Sequence, residues 1–94
     1  MDRDAYLEKV KATLDRWNAE IDKMEARTRE AQAEARIAYE AQLKEMRDQR
    51  DKAEEQLAEA RQASEKAWQD MNKSFIDAWD SIHEGFQRAM KNFR

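Results

Sequence analysis

Apolar positions in the first half of the chain recur at intervals of three and four residues. Side chains that recur in this way share one face of an α-helix, and with Leu7 at an a position they form a coiled-coil heptad seam. Large residues fill the first part of the seam and small ones the second. Its members are Leu7, Val10, Leu14, Trp17, Ile21, Met24, Thr28, Ala31, Ala35 and Ala38.

A second seam follows after a shift of one residue near Ala38 and Tyr39. It is thinner, because Arg50 and Ser64 occupy seam positions where apolar residues are expected. Its members are Tyr39, Leu43, Met46, Arg50, Ala53, Leu57, Ala60 and Ser64. The pattern predicts helix here too, with a weaker association surface.

The last third of the chain, residues 67–93, repeats with a period of eleven residues. Eleven residues over three turns keep an apolar stripe nearly straight along a helix. The aligned pairs and triplets are Ala67-Trp68, Ala78-Trp79 and Ala89-Met90; Met71, Ile82 and Phe93; Ser74 and Gly85; Phe75 and Phe86. The repeat predicts a third amphipathic stretch, rich in aromatic side chains.

These patterns predict an all-α fold. The chain has no Pro and one Gly, and no stretch alternates with a period of two, so strands are not expected. We expect one coiled-coil domain over residues 1–94, a long antiparallel hairpin of helices at about 3–46 and about 50–93 that associates into a dimeric bundle. Folding back near 47–50 would pair Val10 with Phe86, Trp17 with Trp79 and Ile21 with Phe75. Two uninterrupted helices in an antiparallel dimer would give the same pairs.

Composition narrows the classes of function. Charged residues make up 41% of the 94 residues and the formal net charge is −3, so the basic surface that nucleic-acid binding requires is not expected. Without Cys there is no disulfide framework. No run of apolar residues is long enough for a transmembrane segment, and the charged start, residues 1–4, does not resemble a signal peptide. We expect a cytoplasmic location.

Candidate chemistry is sparse. His83 lies beside the apolar stripe, and Asp80 three residues earlier resembles half of a di-metal motif, but the chain offers no second such pair. We interpret His83 as a boundary residue. Acidic residues such as Glu25 and Glu40 have bases four residues on, Arg29 and Lys44, which suits helix stabilisation rather than acid–base chemistry. We therefore predict no catalytic residue, no metal site and no cofactor.

Two surfaces are candidates for association. The first is the aromatic-rich seam, which we expect to carry self-association: Leu7, Val10, Leu14, Trp17, Ile21, Met24, Trp68, Met71, Phe75, Trp79, Ile82, Phe86 and Phe93. The second is a column of alanines on the opposite face of the first helix, interpreted either as a solvated face or as a second contact face: Ala5, Ala12, Ala19, Ala26 and Ala33. An alternative use of residues 67–93 is peripheral binding to a membrane or an apolar client.

Several segments resemble a group of small bacterial coiled-coil proteins of cyanobacteria and proteobacteria that are linked to stress responses. The similar residues are Ala5-Tyr6-Leu7-Glu8-Lys9, Leu14, Trp17, Ile21, Asp22, Glu40, Leu43, Arg47, Lys52, Ala63-Ser64-Glu65-Lys66-Ala67-Trp68 and Ala78-Trp79. The resemblance implies a cytoplasmic helical protein without enzyme activity. We expect a structural or adaptor protein that acts by self-association and by binding a protein client.

Overall fold

The computed structural model describes residues 2–91, and this part of the chain forms three α-helices without a strand. They are α1 (Arg3–Glu30), α2 (Ala33–Gln62) and α3 (Glu65–Lys91). The predicted all-α class is confirmed. The predicted helix bounds, about 3–46 and about 50–93, are wrong, because the chain turns at residues 31–32 and 63–64 and residues 47–50 lie inside α2.

Burial explains why the chain forms three helices instead of a two-helix hairpin. A hairpin of two long helices would leave half of each seam in water. Three shorter helices bring the two heptad seams and the eleven-residue stripe into a common core. Met46 and Ala53 of α2 and Phe86 of α3 are each 0% exposed in that core.

Local hydrogen bonds mark where two of the helices begin. The Asp2 carboxylate accepts a hydrogen bond from the backbone N–H of Asp4 at 3.1 Å, and the Ser64 hydroxyl oxygen accepts one from that of Ala67, also at 3.1 Å. Side chains of this kind satisfy backbone N–H groups that have no partner within the helix. Ser64, a polar residue on the second seam, therefore caps the N-terminus of α3.

Polar contacts join α1 and α2 along their antiparallel course. The Arg50 guanidinium donates to the Asn18 side-chain oxygen at 3.1 Å, and three residues earlier in α2 Arg47 forms a 3.1 Å ion pair with Glu25. Arg50 is thus accommodated on the seam because its charged end reaches a polar partner at the edge of the core.

Helices α1 and α3 run in the same direction and meet through aromatic side chains. Tyr6 packs edge-on against Phe75 with ring centroids 5.8 Å apart, and Trp17 stacks on Phe86 at 4.1 Å. The predicted contact between Trp17 and Trp79 is present, with centroids 5.3 Å apart. The predicted antiparallel direction of this pairing is wrong, because α2 lies between α1 and α3 in the chain and reverses its course.

Candidate interaction surface

The predicted association seam lies in the core of a single chain. All of its α1 residues are buried, and so are Trp68, Phe75, Ile82 and Phe86 of α3, while Met71 and Trp79 are half-buried. Phe93 lies outside the described residues. These side chains are already packed within one chain, so they offer little apolar surface to a second molecule.

Trp17 is the centre of an aromatic cluster between α1 and α3. Besides Phe86 and Trp79, it contacts the ring of His83 at a centroid distance of 5.8 Å, and His83 lies 6.0 Å from Trp79. His83 is half-buried at the edge of the core. Its interpretation as a boundary residue agrees with this position.

Tyr6, at the other end of the contact between α1 and α3, has a pKa shifted by its surroundings. Desolvation raises the pKa of Tyr6 above its usual value, and the negative charge of Asp80 raises it further. Both effects disfavour the phenolate. A phenol held in its neutral form beside Phe75 contributes to packing.

The alanine column of α1 remains at the surface. Ala5, Ala12, Ala19 and Ala33 are exposed, and Ala26 is half-buried. Ala33 belongs to α2 and not to α1, because the first turn precedes it. The column is therefore divided between two helices, and its exposed members on α1 are Ala5, Ala12 and Ala19.

The most exposed large apolar side chain lies on α2. Ile37 is 72% exposed, whereas the other large apolar side chains of residues 2–91 are buried or half-buried. Ile37 lies nine residues, about two and a half helical turns, before Met46, so the two point in opposite directions. Ile37 thus faces directly away from the core.

The nearest neighbours of Ile37 on the helix surface are two alanines and two glutamates, all exposed: Ala33, Glu34, Glu40 and Ala41. We call this surface the outer face of α2 and define it by seven exposed residues: Ala33, Glu34, Ile37, Ala38, Glu40, Ala41 and Lys44. Ala33, Ile37 and Ala41 follow one another at intervals of four, so they form one row along the helix. Next to this row, Glu34 and Lys44 place one negative and one positive charge at its two ends.

The heptad pattern does not predict this surface. It places Ala31, Ala35 and Ala38 on the seam, where they would face another helix. A signal was nevertheless present, because Ile37 falls between the seam positions Ala35 and Ala38 and belongs to neither seam. A β-branched apolar residue outside every predicted buried position indicates an exposed apolar site.

Other kinds of site find little support in the part of the chain that the structure describes. Residues 2–91 contain no cluster of three or more His, Asp or Glu that could hold a metal ion. No described helix has the length and apolar character needed to cross a membrane. A shallow groove of about 290 Å³ beside the α1–α2 turn is lined by Arg27, Glu30, Ala31, Gln32, Ala35 and Tyr39.

Comparison with known proteins found no matching family model, no matching curated protein and no matching solved structure. The inference of function therefore depends on the geometry of the chain itself.

Proposed function

We propose that this protein is a non-enzymatic structural or adaptor protein that binds a helical protein partner through the outer face of α2. The observation that carries the proposal is the 72% exposure of Ile37 on a helix whose opposite side contributes Met46, Ala53 and Leu57 to the core. Covering an isoleucine side chain contributes on the order of 1.5–3 kcal/mol. The alanines around it allow the backbone of another helix to approach closely.

The location of polar groups supports a role without catalysis. Thr28 is the buried polar residue among residues 2–91, and its hydroxyl donates to the Met24 carbonyl oxygen at 2.7 Å. Acid–base catalysis usually relies on a charged group whose pKa is shifted by burial or by a neighbour. The charged side chains here instead surround the bundle, as expected of a binding module.

Association through the outer face of α2 replaces the predicted dimerisation through the aromatic seam. A dimer that used Trp17, Phe75 and Phe86 would have to break contacts that hold α1 and α3 together. The outer face of α2 can be covered without any change in the core. We therefore assign association to the surface that remains exposed in the folded chain.

Peripheral membrane binding through α3, the alternative function, would require α3 to leave the bundle. Binding through the outer face of α2 requires no such change. The apolar face of α3 contains Phe75, Ile82 and Phe86, all buried. Releasing α3 would expose these side chains and cost a large part of the 5–15 kcal/mol that stabilises a typical domain. We therefore expect the intact bundle to be the active form.

Cytoplasmic location and a role in stress protection are part of the proposal because the sequence resembles bacterial stress-linked proteins.

Site-specific photo-crosslinking in the producing cells tests the proposed surface. A photoreactive amino acid in place of Ala41 should yield covalent adducts with a protein partner, because the residue adjoins Ile37 in the outer face of α2. The same amino acid in place of Ala58, exposed in the second half of α2, is the matched control. Combining the Ala41 probe with Ile37→Glu should abolish the adducts.

Two results would contradict the proposed function. One is the absence of adducts from the Ala41 position in cells that produce the protein at normal levels. The other is equal labelling from Ala41 and Ala58, which would show random encounter and not a defined surface.

A further inference from the structure

We propose that this chain forms a domain-exchanged dimer with a second copy of itself. In the exchanged form the turn between α1 and α2 straightens, and α1 of each copy packs against α2 and α3 of the other. The helix contacts that straightening breaks within one chain are remade between the two copies. Two properties of the turn support this exchange: the alignment of the helices that it joins and the helix propensity of its residues.

Helices α1 and α2 are aligned about a point that lies beyond the turn. Two polar contacts show the alignment, one between Asn18 and Arg50 and one between Glu25 and Arg47. Their midpoints lie near residue 35, whereas the turn lies at residues 31–32. The start of α2 therefore overhangs the end of α1 by about two helical turns. We call this segment, residues 33–38, the overhang, and each of its residues is exposed.

A straight continuation of α1 would cover the overhang of a second copy. The heptad seam of α1 runs through the turn unbroken, so a straight helix places Ala31 and Ala35 on the face that carries Thr28. When two such chains lie antiparallel in the alignment of the bent chain, Ala35 meets Ala35 of the second copy and Ala31 meets that copy's Tyr39. The small alanine side chains let the two helices approach closely. The overhang thus continues the existing interface of α1 with α2 across a two-fold axis.

Local propensity also favours the straight form. Residues 29–36 read Arg-Glu-Ala-Gln-Ala-Glu-Ala-Arg, and all of these residue types are strong helix formers. In the bent chain, the Arg36 guanidinium binds carbonyl oxygens at the end of α1. In a straight helix, the backbone N–H groups of residues 32–35 bind the carbonyl oxygens of residues 28–31 instead. The two forms therefore satisfy the same polar groups in different ways.

Acidic residues near the two-fold axis limit the strength of the dimer. Glu34 would lie on the same side of the contact as Glu34 of the second copy, about 8–10 Å away, and one turn from Glu30 of its own helix. Both effects are repulsive, but exposed charges about a Debye length apart interact weakly. Glu40 lies about 15 Å along the axis from its counterpart. In the bent chain Glu40 and Arg29 line one groove, and exchange keeps them neighbours between copies.

Exchange leaves the most exposed part of the outer face of α2 uncovered. Ile37 lies two residues after Ala35, about 200° around the helix, so it faces away from the contact. The exchange therefore goes beyond the proposed function and does not depend on it. We expect the monomer to predominate in dilute solution and the exchanged dimer to form at high protein concentration.

Proline at position 32 tests the exchange. Ala31 has ψ 153° and Gln32 has φ −69°, values that suit a proline and the residue before it. The Gln32 N–H donates no backbone hydrogen bond to the part of the chain that the structure describes, so the bent form loses none. Inside a straight helix, proline lacks a hydrogen bond and clashes with the preceding turn. Gln32→Pro should therefore lower the dimer association constant more than about a hundredfold, while the monomer melts at the same temperature or higher.

Two further variants complete the comparison. Gln32→Ala is the matched control, because alanine suits both forms, and it should dimerise at least as strongly as the unmodified chain. Arg36→Ala removes the contacts that hold the bent turn and should raise the association constant about tenfold. Each chain is refolded from urea at micromolar and at millimolar concentration, which lets α1 choose between copies. Size-exclusion chromatography with light scattering then measures the dimer.

Spin labels at Lys23→Cys and Glu45→Cys distinguish exchange from an ordinary contact between bundles. In the bent chain these exposed positions lie at nearly the same level on neighbouring helices, within about 15 Å. In a straightened chain they lie about 33 Å apart along one helix. Labelled protein is diluted with unlabelled protein before refolding, so that both labels report on one chain.

The long distance in the dimer fraction, together with loss of that fraction in Gln32→Pro, would establish the exchange. Three results would overturn it: a chain that stays monomeric after refolding at millimolar concentration, a dimer with only the short distance, or equal dimerisation of Gln32→Pro and Gln32→Ala.

Discussion

Gly85 lies in the interior of α3, where glycine costs about 1 kcal/mol of helix stability relative to alanine. Its φ is not positive, so no unusual backbone conformation requires glycine there. A close approach between α3 and α2 explains why glycine occupies this position. A Cβ atom at Gly85 would lie 2.9 Å from both Cδ and Nε2 of the Gln49 side chain.

This contact predicts how the effects of two substitutions depend on each other. Gly85→Ala in the unmodified chain should change the free energy of unfolding little, because the gain in helix propensity is offset by displacement of Gln49. In a Gln49→Ala background the obstacle is absent, and Gly85→Ala should stabilise the bundle by about 1 kcal/mol. Urea unfolding of the four chains measures the difference.

Equal effects of Gly85→Ala in both backgrounds would show that Gln49 does not constrain the approach of the helices. The eleven-residue repeat aligns Gly85 with Ser74, but Ser74 is exposed and Gly85 is buried, so the repeat does not predict the burial of Gly85. The sequence could not identify Gln49 as its neighbour, because that depends on how α2 and α3 are aligned in space.

The turn between α1 and α2 contains neither Gly nor Pro, the residues that usually interrupt helices. Ala31 is extended, and its N–H donates to the Thr28 carbonyl oxygen at 3.2 Å. Arg36, in the first turn of α2, binds the carbonyl oxygens that end α1. Its guanidinium donates to Thr28 at 3.3 Å, Arg29 at 3.1 Å and Ala31 at 3.2 Å.

Arg36→Ala should therefore loosen this turn and lower the free energy of unfolding by about 1 kcal/mol. Arg36→Lys should restore only part of the loss, because a single ammonium group cannot span three carbonyl oxygens as a guanidinium does. Amide hydrogen exchange should become faster at residues 28–35 in Arg36→Ala. The control is Arg61→Ala, an exposed arginine at the other end of α2, for which we expect a change within about 0.5 kcal/mol.

Unchanged exchange at residues 28–35 would show that helix packing alone holds this turn. The two turns differ in how far the sequence reveals them. Ser64 followed by Glu65, just before the first copy of the repeat, is a helix-start pattern that could have located the second turn. The first turn is marked only by the shift in seam register near Tyr39, since its stabilising contacts come from Arg36 and form after the chain has folded back.

The all-α class and the buried stripe of each helix could be predicted because periodicity records which residues face a core. Topology could not, because the same seams can be buried by two long helices or by three short ones. The described bundle measures 52 × 18 × 16 Å, with α1 and α3 parallel. The start of α1 therefore lies near the start of α3, as shown by the 2.6 Å hydrogen bond from Arg3 to the Ala63 carbonyl oxygen.

Distances between spin labels distinguish these topologies, and the lack of native cysteine makes labelling simple. In the bundle, Trp17 contacts residues 79–86 of α3, which places Ala5 level with about residue 71, so labels at Ala5→Cys and Lys91→Cys should be about 30 Å apart. A hairpin turning near 47–50 would bring the same labels within about 10 Å, the separation of neighbouring helices. Labels at Ala5→Cys and Glu65→Cys should give a short distance in the bundle and a long one in the hairpin. They therefore provide the matched control. Diluting labelled with unlabelled protein removes distances between labels on different copies. A short distance between the labels at positions 5 and 91 would then exclude the bundle. It would also remove the basis for the exposed position of Ile37, which depends on the three-helix topology.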